Sequence, residues 1–178
     1  RGETDRLETS VFFSQKGIDS LIATTPYTAE TLPSFVSPIT RDGDENTSTV
    51  RSIFSSGKHY LPTNQLIPGR TAYGSNKNNI VFRYSETLLM YAEALVQGAN
   101  NSVMTADEAV NQVRARANMA PLSGVTLDQI VDEKYAELSM EWGKRFFDMV
   151  RLGRYDELSF DGRTFTEDRA FVTYHQDQ

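Results

Sequence analysis

The sequence predicts a mostly α fold with long loops and a few short strands, its helices paired into tetratricopeptide-like hairpins. Three observations carry that prediction. Apolar residues recur at three-and-four spacing from residue 83 onward. Capping signatures open the segments that carry them. Turn-forming Thr, Ser, Asn, Gly and Pro crowd the first 80 positions instead.

The loop-rich stretch contains short extended pieces, "SVFF", "RSIF" and "NIVF", between turn clusters such as "RDGDEN" and "YGSNKNN". So much irregular chain in a compact protein implies loops that bind something or lie against another part of the molecule. The first helix is "RYSETLLMYAEALVQG", with Tyr84, Leu88, Tyr91, Ala92 and Leu95 on one face and Gly98 placed to cap its end. The second is "TADEAVNQVRARA", opened by the capping-box pair Thr105 and Glu108, with Ala106, Ala109, Val110, Val113 and Ala117 as its stripe. The short link between them predicts an antiparallel hairpin of tetratricopeptide size. A third helix opens at Thr126 and Gln129, again with capping-box spacing, and runs to Trp142 with Leu127, Ile130, Val131, Tyr135, Leu138 and Trp142 inward. A fourth, "KRFFDMVRLGR", places Phe146, Phe147 and Val150 inward.

This grammar divides the chain into a loop-rich ligand-side segment, 1–80, and a helical region, 81–178, of one domain expected to be incomplete at both ends. The chain opens without Met and reads as a processed product or a fragment. One hairpin cannot bury both of its faces, so further repeats are expected upstream.

Composition narrows the function. With 39% hydrophobic and 24% charged residues, the 178-residue chain is that of an ordinary globular protein. A net charge of -6 and a pI near 5.0 oppose a nucleic-acid partner, which needs a concentrated positive face. The absence of cysteine removes disulfides, thiolate zinc sites and a cysteine nucleophile. No apolar run approaches the roughly 20 residues of a membrane span.

Carboxylates are numerous enough to suggest a glycosidase pair, yet their spacing argues for a structural network. Glu133, Glu137 and Glu141 repeat every four residues, and Arg145, Asp148 and Arg151 continue with alternating sign. Glu86 and Glu93 on the first helix are open to three readings, catalytic, metal-binding or structural partners of the arginines further along. His59 and His175 have no metal spacing, and "DGDEN" lacks the glutamate that would complete a calcium loop. No hydrolase elbow, phosphate loop or dinucleotide fingerprint occurs. The expectation is no catalytic residue, no metal and no cofactor. Aromatic residues in the loops are more informative: Tyr27, Tyr60, Tyr73 and the neighbouring Asn76 combine flat apolar rings with amide and hydroxyl groups, the pairing that sugar rings require.

The helical half also resembles a known family. Arg83, Tyr84, Glu86, Leu88, Leu89, Ala92, Glu93 and Ala94 fit R-Y-x-E-x-L-L-x-x-A-E-A. Asn111, Val113, Arg114, Arg116 and Ala117 fit N-x-V-R-x-R-A, and Glu133, Glu137, Leu138 and Glu141 fit E-x-x-x-E-L-x-x-E. Gly143, Arg145, Asp148 and Arg151 complete G-x-R-x-x-D-x-x-R. In order and spacing these are similar to the C-terminal region of the SusD/RagB family, lipid-anchored surface proteins of Bacteroidota. Lys134 stands where that family usually carries Arg, and its usual closing segment is lacking here. The resemblance implies a SusD-like α-fold and helix charges, Arg83 included, that act as framework, with Glu86 and Glu93 held in register against arginines such as Arg114, Arg116 and Arg145. It also implies glycan capture at the outer-membrane surface and delivery to a SusC-like TonB-dependent transporter, without catalysis. Peptide capture for the same kind of transporter, or a tetratricopeptide-type scaffold for protein partners, are the alternatives.

Overall fold

The computed structural model describes residues 5–47, 53–69, 77–100, 103–160 and 162–170. It is mostly helical, with one two-stranded antiparallel sheet among the described residues. The chain divides into two compact units, residues 1–84 with 111–122, and residues 85–110 with 123–178.

The first unit opens with α1 (Asp5–Ser10), β1 (Val11–Phe13) and α2 (Gln15–Thr24), and continues to β2 (Phe54–Ser56). Strands β1 and β2 pair in the register Val11 with Ser56, Phe12 with Ser55 and Phe13 with Phe54. Ser14 joins strand to helix and serves both. Its hydroxyl accepts from Gly17 N at 3.2 Å, capping α2, and donates to Ile53 O at 2.8 Å. The backbones here lie so close that a Cβ on Gly17 would stand 1.9 Å from Ile53 O, and one on Gly57 2.3 Å from Thr9 O. Only glycine fits at either position. Phe13, Ile18, Val113 and Ala117 are the buried apolar residues.

Two expectations for this half need correction. Residues 5–24 are largely helical rather than loop and strand. These helices are too short for periodicity to show over the Thr and Ser that interrupt it. The "NIVF" segment is not a strand among the described residues, and Ile80, Val81 and Phe82 are exposed. An apolar run alone does not make a strand; a ladder partner does.

The second unit holds α3 (Tyr84–Val96), the start of α4 (Ala106–Arg116), α5 (Leu127–Glu137) and α6 (Lys144–Arg151). The punctuation read from sequence is present in detail. Gly98, at φ +99°, ends α3 with Ala99 N donating to Ala94 O and Gly98 N to Leu95 O, both signatures of a Schellman cap. Thr105 N donates to Glu108 Oε2 at 2.7 Å, and Glu108 N donates to Thr105 Oγ1 at 3.1 Å. Thr126 and Gln129 form the same reciprocal box at α5. Asp107 accepts Gly124 N and Val125 N at 2.7 and 2.8 Å, tying the turn before α5 to α4. Those two amides hold its carboxyl below the ordinary value. Leu88, Leu89, Ala92, Ala109, Val110, Val125, Ile130, Val131, Leu138 and Met149 form the buried core of its described residues.

The inward faces were partly mispredicted. Helix α5 stops at Glu137, and the chain then passes through left-handed turns at Met140 (φ +63°) and Gly143 (φ +67°). Trp142 therefore leaves the helical phase and is 61% exposed instead of core. Tyr84, Tyr135, Phe146 and Phe147 are exposed as well, whereas Met149, absent from the predicted stripe, is buried. Beside Ile130, Val131 and Leu138, the buried side of α5 also carries charge: Glu133, Lys134 and Glu137 are all buried.

Candidate functional site

Of the four tyrosine and asparagine candidates, Tyr73 and Asn76 lie outside the described residues. Tyr27 is 46% exposed, carried on a turn that its threonines hold in shape. Thr28 N donates to Thr31 Oγ1 at 2.7 Å and Tyr27 N to Thr25 Oγ1 at 3.4 Å. An aromatic ring on a hydrogen-bonded turn loses little entropy when a flat ligand stacks on it.

Tyr60 has a different setting. Its hydroxyl donates to the Asp44 carboxylate and lies 3.1 Å from Thr40 Oγ1, and its ring meets Phe12 edge-on with centroids 4.7 Å apart. Asp44 also accepts Thr63 N at 2.8 Å. Tyr60 thus braces the 38–46 turn, whose ends pair through Ile39 and Glu45, against β1 and residues 63–65. Burial and the adjacent carboxylate push its phenol up, while the Tyr60 hydroxyl and Thr63 hold Asp44 down. Tyr60→Phe should return the Asp44 carboxyl toward its ordinary value; a carbon-detected NMR titration that leaves it unchanged would contradict this bond.

In the second unit the carboxylates of α3 are the centre of the ion network. Glu93, 4% exposed, takes Arg151 Nη1 on Oε1 at 2.5 Å, Arg151 Nη2 on Oε2 at 3.0 Å and Lys134 Nζ on Oε2 at 2.5 Å. Gln97 Nε2 adds a fourth donor at 3.0 Å. Asp148 completes the group, 2.6 Å from Arg151 Nη2 and 3.5 Å from Lys134 Nζ. Burial raises the Glu93 carboxyl, but the Arg151 and Lys134 hydrogen bonds outweigh it and leave the group below its ordinary value. Arg151 is raised, first by its bonds to Glu93 and then by Asp148. A carboxylate held ionised by two cations is a poor proton acceptor, so this cluster suits a framework rather than general acid–base work.

The partners of Glu86 and Glu93 differ from the arginines that the resemblance implied. Glu86 pairs with Lys144 at 2.9 Å, and Glu93 with Lys134 and Arg151. Arg145 instead pairs with Glu157 at 2.8 Å and lies 4.1 Å over the Tyr135 ring. Arg114 donates its Nε to Ala120 O at 2.8 Å. Glu141 lies beyond the end of α5, so the four-residue ladder from Glu133 is broken. Lys134 and Lys144 were not named for the network. The only sequence signal was the presence of Lys134 at a position where an arginine was expected, because a pair 41 residues apart leaves no trace in local spacing. Among the described residues no three His, Cys, Asp or Glu side chains gather as a metal site would need, and no helix is long and apolar enough to cross a membrane.

Comparison with known proteins places this geometry. A SusD-like protein from Bacteroides ovatus is 36% identical over 81 residues, 44% of this chain and 14% of that protein. Surface glycan-binding protein A from Bacteroides thetaiotaomicron superposes over 96% of this chain with a TM-score of 0.67 at 24% identity. The same protein in complex with laminarihexaose matches equally, at 0.67 over 97%. The chain spans 35% of those solved chains, so the likeness is one of fold over about a third of their length. The SusD family model matches residues 6–175, nearly the full length of the chain; the chain belongs to the SusD family.

Proposed function

We propose that this chain is part of a non-catalytic cell-surface protein that binds oligosaccharide and hands it to a TonB-dependent outer-membrane transporter. The full-length protein is held at the outer membrane by a lipid anchor. The observation that carries the reading is the family match over residues 6–175. Two features support it. Glu86 and Glu93, the buried carboxylates of α3, are taken up in ion pairs instead of being poised as an acid and a base. Tyr27 offers an exposed ring beside threonine hydroxyls, the chemistry on which a pyranose stacks and hydrogen-bonds. Tyr73 and Asn76 remain ligand candidates on composition alone, and Tyr60 contributes as the brace of its loop.

Affinity electrophoresis of the full-length protein through a panel of polysaccharides, with a β-glucan among them, tests this. At least one glycan is expected to retard the protein, with the shift weakened several-fold by Tyr27→Ala or Tyr73→Ala, and no reducing ends released. Retardation by none of them, with saturable binding of a peptide digest, would overturn the glycan reading.

A further inference from the structure

Tyr27 stands on a turn built to keep its shape. Thr25 closes α2, its amide donating to Leu21 O at 3.0 Å and its hydroxyl at 2.6 Å. Thr31 N and Leu32 N both donate to Thr28 O at 3.1 Å, and the Thr28 and Thr31 hydroxyls meet at 3.3 Å. Pro26 fixes the backbone just before the ring. On this turn sits Glu30, exposed to water like Tyr27. It is the one charged residue between Ser20 and Thr40 in the sequence. The Thr28 hydroxyl, and after it the backbone amide of Glu30, hold the Glu30 carboxyl below its ordinary value. The group is therefore a carboxylate at neutral pH.

That charge decides what the ring accepts, given the reading of Tyr27 as a surface on which a sugar stacks. Its bond to Thr28 keeps the carboxylate one residue from Tyr27, and consecutive Cα atoms are only about 3.8 Å apart. A sugar on the Tyr27 ring then lies inside the roughly 8 Å over which charges act in physiological salt. An uncharged pyranose brings hydroxyls that can donate to the carboxylate. A uronate or sulfated sugar brings a second negative charge instead, and no Lys or Arg lies in this stretch of sequence to offset it. The next base along the chain, Arg41, is taken by Glu8 at 2.8 Å. A net charge of -6 adds a repulsion of the same sign. The backbone bonds to Thr28 O close the turn without the Glu30 side chain, so its charge is separable from the fold of the turn. We propose that Glu30 is the specificity-determining residue of the Tyr27 face: it turns away glycans bearing carboxylate or sulfate groups and admits uncharged ones.

One glycan with and without charge provides the test. The full-length protein is run in affinity gels against a neutral β-glucan, an α-mannan, polygalacturonate and chondroitin sulfate. The neutral polysaccharide that retards it is then compared with its own carboxymethyl derivative. The carboxymethyl form is expected to bind at least about five-fold more weakly, and Glu30→Gln to narrow that ratio to about two-fold or less. Added salt should narrow it for the parent protein as well. A ratio left unchanged by Glu30→Gln, including a loss of binding shared equally by both forms, would reduce Glu30 to a turn residue and overturn the proposal while glycan binding stands. Polygalacturonate or chondroitin sulfate as the preferred ligand would overturn it in the same way. Binding of no polysaccharide would remove the glycan-binding function itself, and this inference with it. Glu30 is exposed and the glutamine is isosteric, so the variant folds.

Discussion

Glu93→Ala is expected to lower stability by about 3–5 kcal/mol, the cost of removing one partner from a buried ion pair. The carboxylate it deletes is the shared acceptor for Lys134, Arg151 and Gln97. Lys134 has a side chain only 6% exposed, and without Glu93 its remaining acid in the cluster is Asp148 at 3.5 Å. Arg151, 48% exposed, can turn to solvent, so the penalty falls mainly on the lysine. Urea denaturation should show a lower midpoint with an unchanged slope. A loss under about 1 kcal/mol would mean that the network contributes no more than a surface pair.

The pH dependence has a definite sign. The folded Glu93 carboxyl lies below the ordinary 4.5, so its contribution is complete above that pH and is lost as pH falls through the depressed folded value. The parent protein should weaken across this acid window more steeply than Glu93→Ala. Equal slopes for the two would show that Glu93 titrates alike folded and unfolded. Replacing Glu93 and Lys134 together by Leu and Met is expected to recover much of the single-variant loss, because apolar residues of similar volume remove the stranded charge.

Leu89→Ala should cost about 2–5 kcal/mol for a different reason. Leu89 is fully buried in the α3 face, beside positions where Leu88 and Ala92 are also inside. Deleting its isobutyl group removes transfer free energy and leaves a hole that capped helices cannot collapse to fill, because α5 is fixed at its start by the Thr126–Gln129 box. The variant should retain its far-ultraviolet circular dichroism at low denaturant and lose midpoint only. Loss of helical signal in the absence of denaturant would instead indicate that Leu89 is needed for α3 to form at all.

Much of the helical half was legible because its signals are local. Thr105 with Glu108, Thr126 with Gln129, and Gly98 after α3 are fixed by hydrogen bonds spanning a few residues, and each is present where the spacing placed it. The family motifs were legible for the same reason, since they record helix phase and order. The outer faces were less so. Periodicity assumes that a helix continues, and the turns at Met140 and Gly143 carried Trp142 out of the predicted core. In the first unit, α1 and α2 are too short for an apolar stripe to rise above their polar residues, and the strand at Val11–Phe13 exists because Phe54–Ser56 meets it.

The sequence by itself determined a cysteine-free, acidic, mostly helical chain of the SusD family, with its caps in place and its helix charges destined for pairing. Only the tertiary structure decided which charges pair: Glu93 with Lys134 and Arg151, and Glu86 with Lys144. It also separated Tyr27, exposed on its turn, from Tyr60, which is bound to Asp44. Capping and periodicity act within one turn of chain, whereas an ion pair across 41 or 58 residues is set by how helices pack, and nothing in local spacing encodes that.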